Sequence, residues 1–159
     1  MRKSESFTAG TTKKTSSLII KNEELRIFGT DDFDSLCRKF NKDFFMKDNP
    51  IVSKSKTFAL RIIKLYKYLY NEKKEYVMSK QILRSGTSIG ANIREAVRGQ
   101  SKADFYAKLH ISLKEADETA YWLELLNESG YIKDEHFQNI YEDCNEIIKI
   151  LVSILKNKS

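Results

Sequence analysis

Four successive stretches between residues 55 and 155 set apolar side chains three and four residues apart. That spacing puts them on one side of an α-helix and admits little else than helices packed together. The first stripe is Phe58, Ile62, Leu65 and Leu69, broadened by Ala59, Ile63, Tyr66 and Tyr70. The second is Met78, Ile82, Ile89, Ile93 and Val97. The third is Phe105, Leu109, Leu113, Ala116, Ala120, Leu123 and Leu126. The fourth is Phe137, Ile140, Tyr141, Cys144, Ile147, Ile148, Leu151 and Ile154. One proline and six glycines in 159 residues leave few break points for a many-turned β fold.

The spacing predicts helices over 55–71, from Ser79 to a stop at Gly99, over 102–128 and over 134–155. Residues 71–75 read as a solvated turn. Ser101 with Asp104 forms a capping-box-like start, Gly130 ends the third helix, and Asp134 caps the fourth. Short connections between such helices give an all-α fold, an antiparallel up-down-up-down four-helix bundle over residues 50–159.

Residues 1–49 form an N-terminal extension. Its first 17 residues are polar and aperiodic and read as disordered. Residues 18–28 read as a short strand or an extended docking segment. Residues 31–46 carry Phe33, Leu36, Cys37, Phe40 and Phe44 at helical spacing, a short amphipathic helix. It packs on its own bundle, on another subunit or on a partner protein. Asp48-Asn49-Pro50 marks the boundary, because the residue before proline avoids helix.

The second helix has three characters. Besides its apolar stripe it carries Ser85, Gly86, Ser88, Gly90 and Ala91, small side chains that let a neighbouring helix approach closely. At about 100° per residue, Lys80, Arg84, Arg94 and Arg98 share one sector, a cationic ridge. The charge of the chain is unevenly spread. Residues 50–109 hold 13 Lys or Arg against 4 Asp or Glu, whereas residues 110–159 hold 5 against 10. A basic half joined to an acidic half points to a polyanion partner, a head-to-tail oligomer, or a dipolar surface with neither. No apolar run approaches a membrane span, no signal peptide is visible, and two cysteines without metal-ligand spacing fit a reduced compartment. The expected location is the cytoplasm.

Several motifs carry a family likeness. They are NPIVSKSKTFALRIIKLYKYL at 49–69, MSKQ at 78–81, RSGTSIGAN at 84–92, and GQS at 99–101. With them go Glu95-Ala96, Asp104-Phe105, Glu118-Thr119, Tyr121-Trp122-Leu123 and Gly130-Tyr131. Over roughly residues 49–155 the chain resembles the bacterial four-helix-bundle proteins encoded in intervening sequences of 23S ribosomal RNA genes. That family is likened in turn to the accessory variability protein of diversity-generating retroelements, which works beside a reverse transcriptase. The resemblance implies a homopentameric ring, a basic surface or channel for nucleic acid, and no enzymatic activity. Many relatives have an acidic residue where this chain has Arg94 and an uncharged one where it has Arg98, so the ridge here is more positive.

The residues themselves supply the candidates for each role. Lys80, Arg84, Arg94 and Arg98, extended by Arg61, Lys64, Lys67, Lys102 and Lys108, are the candidates for neutralising phosphates without reading sequence. The bland alternative for each is a solvated helix face. Arg84 and Asn92 also suit buried hydrogen bonds that fix packing. Glu95 suits a pair with Arg94, Arg98 or another subunit. Tyr66, Tyr68 and Tyr70 suit either base stacking or an interface, as do Tyr121 and Trp122; Tyr68, Trp122 and Glu118 are the oligomer-interface candidates. Catalysis is not expected. His110 and His136 lack a preceding arginine within six positions, a zinc pattern or a Glu-x-x-His pair, and no phosphate loop or nucleophile motif occurs. Neither metal nor cofactor is called for. The competing reading is a protein-interaction scaffold, for example an accessory subunit of a reverse transcriptase or another RNA-handling machine, that does not touch nucleic acid.

Overall fold

The computed structural model describes residues 49–156. The expected extension helix at 31–46, and the rest of residues 1–48, lie outside this range. Four helices follow one another: α1 (Pro50–Asn71), α2 (Met78–Val97), α3 (Lys102–Glu128) and α4 (Asp134–Lys156). Each packs on its sequence neighbour and α4 closes back on α1, giving the antiparallel four-helix bundle. The α4–α1 seam is the thinnest of the four. No helix among the described residues is long and apolar enough to cross a membrane.

The four stripes meet in one core. Phe58, Ile62, Ile82, Ile89, Ile93, Leu109, Leu123, Leu126, Ile147 and Leu151 are all buried. Met78 and Val97, at the ends of the second stripe, are only partly covered.

The helix ends show how local chemistry sets the lengths. α1 begins five residues before the predicted start. Asn49 accepts the Ile51 amide at 3.1 Å on Oδ1, and Pro50 occupies the first turn, where its missing N–H costs nothing. Proline there opens the helix instead of standing outside it. At α3, Ser101 Oγ accepts from the Asp104 amide at 3.1 Å, and Asp104 Oδ2 accepts from the Gln100 amide at 3.2 Å. Gly130 ends α3 at φ 77°, a left-handed conformation that suits glycine. Asp134 stands inside the first turn of α4, where its carboxylate accepts from Asn127 Nδ2 at 2.9 Å.

The turn at 72–77 differs from the expected solvated loop. Lys74 takes φ 54°, and the chain doubles back so that Glu75 is buried. Its carboxylate accepts from the amides of Val77 at 3.0 Å, Met78 at 2.9 Å and Ser79 at 2.6 Å, three of the otherwise unpaired N–H groups that open α2. Burial pushes this carboxyl up, but the amides of Met78, Ser79 and Val77 outweigh it and hold the group below its ordinary value. Ser79 Oγ returns a hydrogen bond to the Glu75 carbonyl at 2.6 Å.

Small residues bring the helices together as expected. A β-carbon on Gly86 would stand 2.8 Å from Ile62 Cγ1 and 2.9 Å from Cγ2, so α1 rests against the bare backbone of α2. Across the other face, the Thr119 and Ser85 hydroxyls lie 2.9 Å apart, and Ser112 Oγ donates to the Ile89 carbonyl at 3.0 Å.

Two predictions follow from this packing. Gly86→Ala overpacks the α1–α2 contact by about 1–3 kcal/mol, more than the roughly 1 kcal/mol that alanine returns through helix propensity. Thermal denaturation is expected to show a lower Tm. Gly90→Ala, whose β-carbon would meet Ser55 Oγ at 3.4 Å, keeps or raises it. The second concerns Glu75. Its folded-state pKa is depressed, so its stabilisation is fully present above the ordinary carboxylate range and is lost as pH falls through the lowered value. Glu75→Gln is expected to cost about 1–2 kcal/mol at neutral pH and to flatten the acid limb of a Tm-against-pH curve.

Candidate nucleic-acid interface

The bundle order decides which cations are free. α1 carries five Lys or Arg and no acid, and α2 is also predominantly basic. The carboxylates lie mainly on α3 and α4. Each basic helix therefore shares one seam with an acidic helix, and most of the ion pairs form there with that polarity. Across α1–α4, Lys54 Nζ reaches Glu146 at 2.8 Å and Arg61 pairs with Asp143. Across α2–α3, Arg84 pairs with Glu118 and lies 3.7 Å from Glu115. One pair on that seam runs the other way, with Lys108 of α3 reaching Glu95 of α2 at 2.6 Å. The Glu95 hydrogen bond and charge hold the Lys108 ammonium above its ordinary value.

The nine candidate cations thus fall into two groups. Arg61, Arg84 and Lys108 are engaged inside the chain. Lys64, Lys67, Lys80, Arg94, Arg98 and Lys102 are exposed, and none has an ion-pair partner among the described residues. At about 100° per residue, Lys80 and Arg98 point straight away from the core and Arg94 leans toward α1, whereas Arg84 leans toward α3. Lys64 and Lys67 sit on the outer side of α1. From Lys80 to Arg98 the line runs about 27 Å at roughly 1.5 Å per residue. That is about eight steps of duplex at roughly 3.4 Å each.

Arg84 belongs to a separate cluster. Its side chain remains 54% exposed, so it is not a buried packing arginine. Glu118 accepts from Arg84 and, at 3.1 Å, from Nε1 of Trp122 on the next turn of α3. The Trp122 hydrogen bond, against the upward push of burial and with help from Arg84, holds the Glu118 carboxyl below its ordinary value. Within the chain, then, Trp122 and Glu118 have partners. Tyr68 is exposed, with Lys73 Nζ 5.7 Å from its ring centroid. Asn92 Nδ2 donates to the Ser88 carbonyl of its own helix at 2.9 Å.

Other reactive groups are committed elsewhere. Burial foremost, with the Asp117 and Asp143 charges behind it, pushes the Cys144 thiol up to about 12, and its Sγ lies 3.4 Å from the Ala116 carbonyl. Tyr141 donates to Glu124 at 2.5 Å, tying α4 to α3. His110 and His136 are exposed. Among the described residues no cluster of His, Cys, Asp and Glu suits a metal ion.

Trp122 is the chain's single tryptophan, so its fluorescence reports on Glu118. Acid titration of Trp122 emission is expected to show a midpoint below the usual glutamate value of about 4.3, because the carboxylate keeps its proton off until lower pH. Glu118→Gln removes that titration.

The comparisons with known proteins agree with this architecture. The family described as 23S rRNA-intervening sequence protein matches residues 47–153. A crystal structure from Bacteroides thetaiotaomicron, of a protein with unknown function from the S23 ribosomal protein family, superposes with a TM-score of 0.66 at 62% identity. The match covers 67% of this chain and 98% of that one. No curated protein matches the chain. With two thirds of its length matched and its bundle shared with a close structural relative, the chain belongs to the 23S rRNA-intervening sequence protein family.

Proposed function

We propose that this protein binds nucleic acid without catalysing a reaction, holding phosphate backbones on the outer face of α1 and α2. The observation that carries the reading is the unpaired set Lys64, Lys67, Lys80, Arg94 and Arg98 on two adjacent helices, with no carboxylate engaging them among the described residues. Such cations release counterions from a polyanion and bind without reading bases. Lys102, at the start of α3, extends the set. Arg61, Arg84 and Lys108 serve the bundle first and phosphate second. Assembly into a homo-oligomer, the homopentamer that the sequence likeness implies, multiplies each cation and concentrates the field. In this reading the protein is an accessory to a larger RNA-handling or reverse-transcribing machine.

A second reading has its own support. Asp117, Glu128, Glu135 and Glu142 on α3 and α4 are exposed and likewise without ion-pair partners among the described residues. They complement the basic face, and one copy docking head-to-tail on the next gives a protein scaffold.

Fluorescence anisotropy with labelled single-stranded RNA and duplex DNA, over a range of salt, separates the two. Phosphate binding predicts affinity that falls steeply with salt. Lys80→Gln/Arg94→Gln/Arg98→Gln is expected to weaken it and to lower the log–log salt slope by about one for each cation that meets a phosphate. Arg84→Gln has the smaller effect. If the wild-type protein binds neither probe at low salt, and the triple variant instead loses its oligomeric mass in light scattering, the scaffold reading replaces this one.

A further inference from the structure

The turn joining α1 to α2 carries aromatic surface that the core does not use. Tyr66, Tyr70 and Tyr76 form a chain of rings. The first two centroids lie 5.6 Å apart at 42°, the second two 4.8 Å apart at 72°. Tyr66 is half-buried. Tyr70 and Tyr76 are 38% and 45% exposed, and Val77 beside them is 70% exposed. Neighbouring exposed apolar side chains of this kind are a candidate interaction surface.

The charges around the rings say what kind of partner fits. Lys67 lies one turn before Tyr70 on α1, Lys73 and Lys74 lie within the turn, and Lys80 lies in the first turn of α2. All four are exposed, and none is ion-paired among the described residues. Of the two acids in the turn, Glu75 is turned inward onto the amides of α2, and Glu72 is exposed, so the four lysines outweigh one outward carboxylate. Two exposed rings with lysines in the same turn offer faces for bases and charges for phosphates. Stacking on rings is open to every base because each has a π-face, but only where the bases are not already stacked in a duplex.

We propose that the α1–α2 turn is a stacking platform for unpaired bases. Tyr70 and Tyr76 take the bases, and Lys67, Lys73 and Lys74 take the flanking phosphates. The partner is therefore single-stranded nucleic acid rather than duplex. The inference rests on the phosphate-binding reading above and extends the α1–α2 face to one end of the bundle.

The test compares three labelled strands of equal length: oligothymidylate, the same backbone with every base removed, and oligouridylate. Wild-type protein is expected to bind oligothymidylate at least about tenfold more tightly than the abasic strand, from one or more stacked bases. Oligouridylate is expected to behave as oligothymidylate, since rings read base faces and not the sugar. Tyr70→Ala/Tyr76→Ala brings the ratio of intact to abasic affinity close to one and leaves abasic binding and its salt slope in place. Tyr70→Phe/Tyr76→Phe retains the ratio. Lys80→Gln/Arg94→Gln/Arg98→Gln lowers binding of all strands together. Circular dichroism and light scattering check that the variants keep fold and mass. Equal affinity of the wild type for intact and abasic strands overturns the platform while leaving the phosphate clamp standing, and the patch then belongs to a protein partner. A base preference that survives the double alanine variant, or a sugar preference larger than the base preference, also overturns it. Absence of salt-sensitive binding to any strand overturns both readings.

Discussion

Close approach along α2 is the contact on which the other features rest. Ile62 sits against the bare backbone at Gly86 on one side. On the other, Ser85 and Thr119 share a hydrogen bond and Ser112 reaches the Ile89 carbonyl. Glycine and serine weaken a helix by up to roughly 1 kcal/mol each relative to alanine. Burial offsets this, because a fully covered isoleucine contributes about 1.5–3 kcal/mol and Ile62, Ile82, Ile89 and Ile93 are all covered. Once two faces of α2 are committed to neighbours, its remaining side has to hold the long cations. Glu75 then secures the start of α2 from beneath, supplying acceptors that the sequence of the helix itself lacks.

The electrostatic pattern is a consequence of helix order. In an up-down bundle a helix touches two neighbours. α1 and α2 are both basic and adjacent, so their shared seam offers no carboxylate, while the seams to α4 and α3 do. Lys54, Arg61 and Arg84 pair where an acidic helix is within reach. Lys64, Lys67, Lys80, Arg94 and Arg98 have no ion-pair partner among the described residues. A swap of α2 and α3 in chain order, with unchanged composition, would set each basic helix between two acidic ones and bury this asymmetry in internal pairs.

Much of the architecture was legible in the sequence, for local reasons. The three-and-four spacing from Phe105 to Leu126, flanked by Ser101 and Gly130, carries both ends of α3. The small residues of α2 announced a close neighbour without saying that Gly86 faces α1 while Ser85 faces α3. The beginning of α1 was less legible, because a proline after Asn49 reads equally as a break or as a first turn. The role of Glu75 was hidden. A run of charged residues looks solvated until a positive φ at Lys74 turns one of them inward. The division of the nine cations was also beyond the sequence. Arg61 and Asp143 are 82 positions apart, and Arg84 and Glu118 are 34 apart. Only the register between helices says which cation finds a carboxylate. Tyr70 had spacing that suited core, interface or stacking, and only its exposure beside Tyr76 separates these readings.

The thin seam between α4 and α1 bears on how the bundle comes apart. It is held at its surface by Lys54–Glu146 and Arg61–Asp143, pairs that water and salt screen readily. The α2–α3 hairpin has the most extensive packing and hydroxyl bonds in its interior. Fluctuations of the native state therefore follow a hierarchy. The first and last helices separate from one another in low-energy openings, and amides there exchange with solvent sooner, while the central hairpin exchanges only when the whole bundle unfolds. Because neighbours in space are neighbours in sequence everywhere except at that seam, closing it is also the one step of folding that joins the two ends of the bundle.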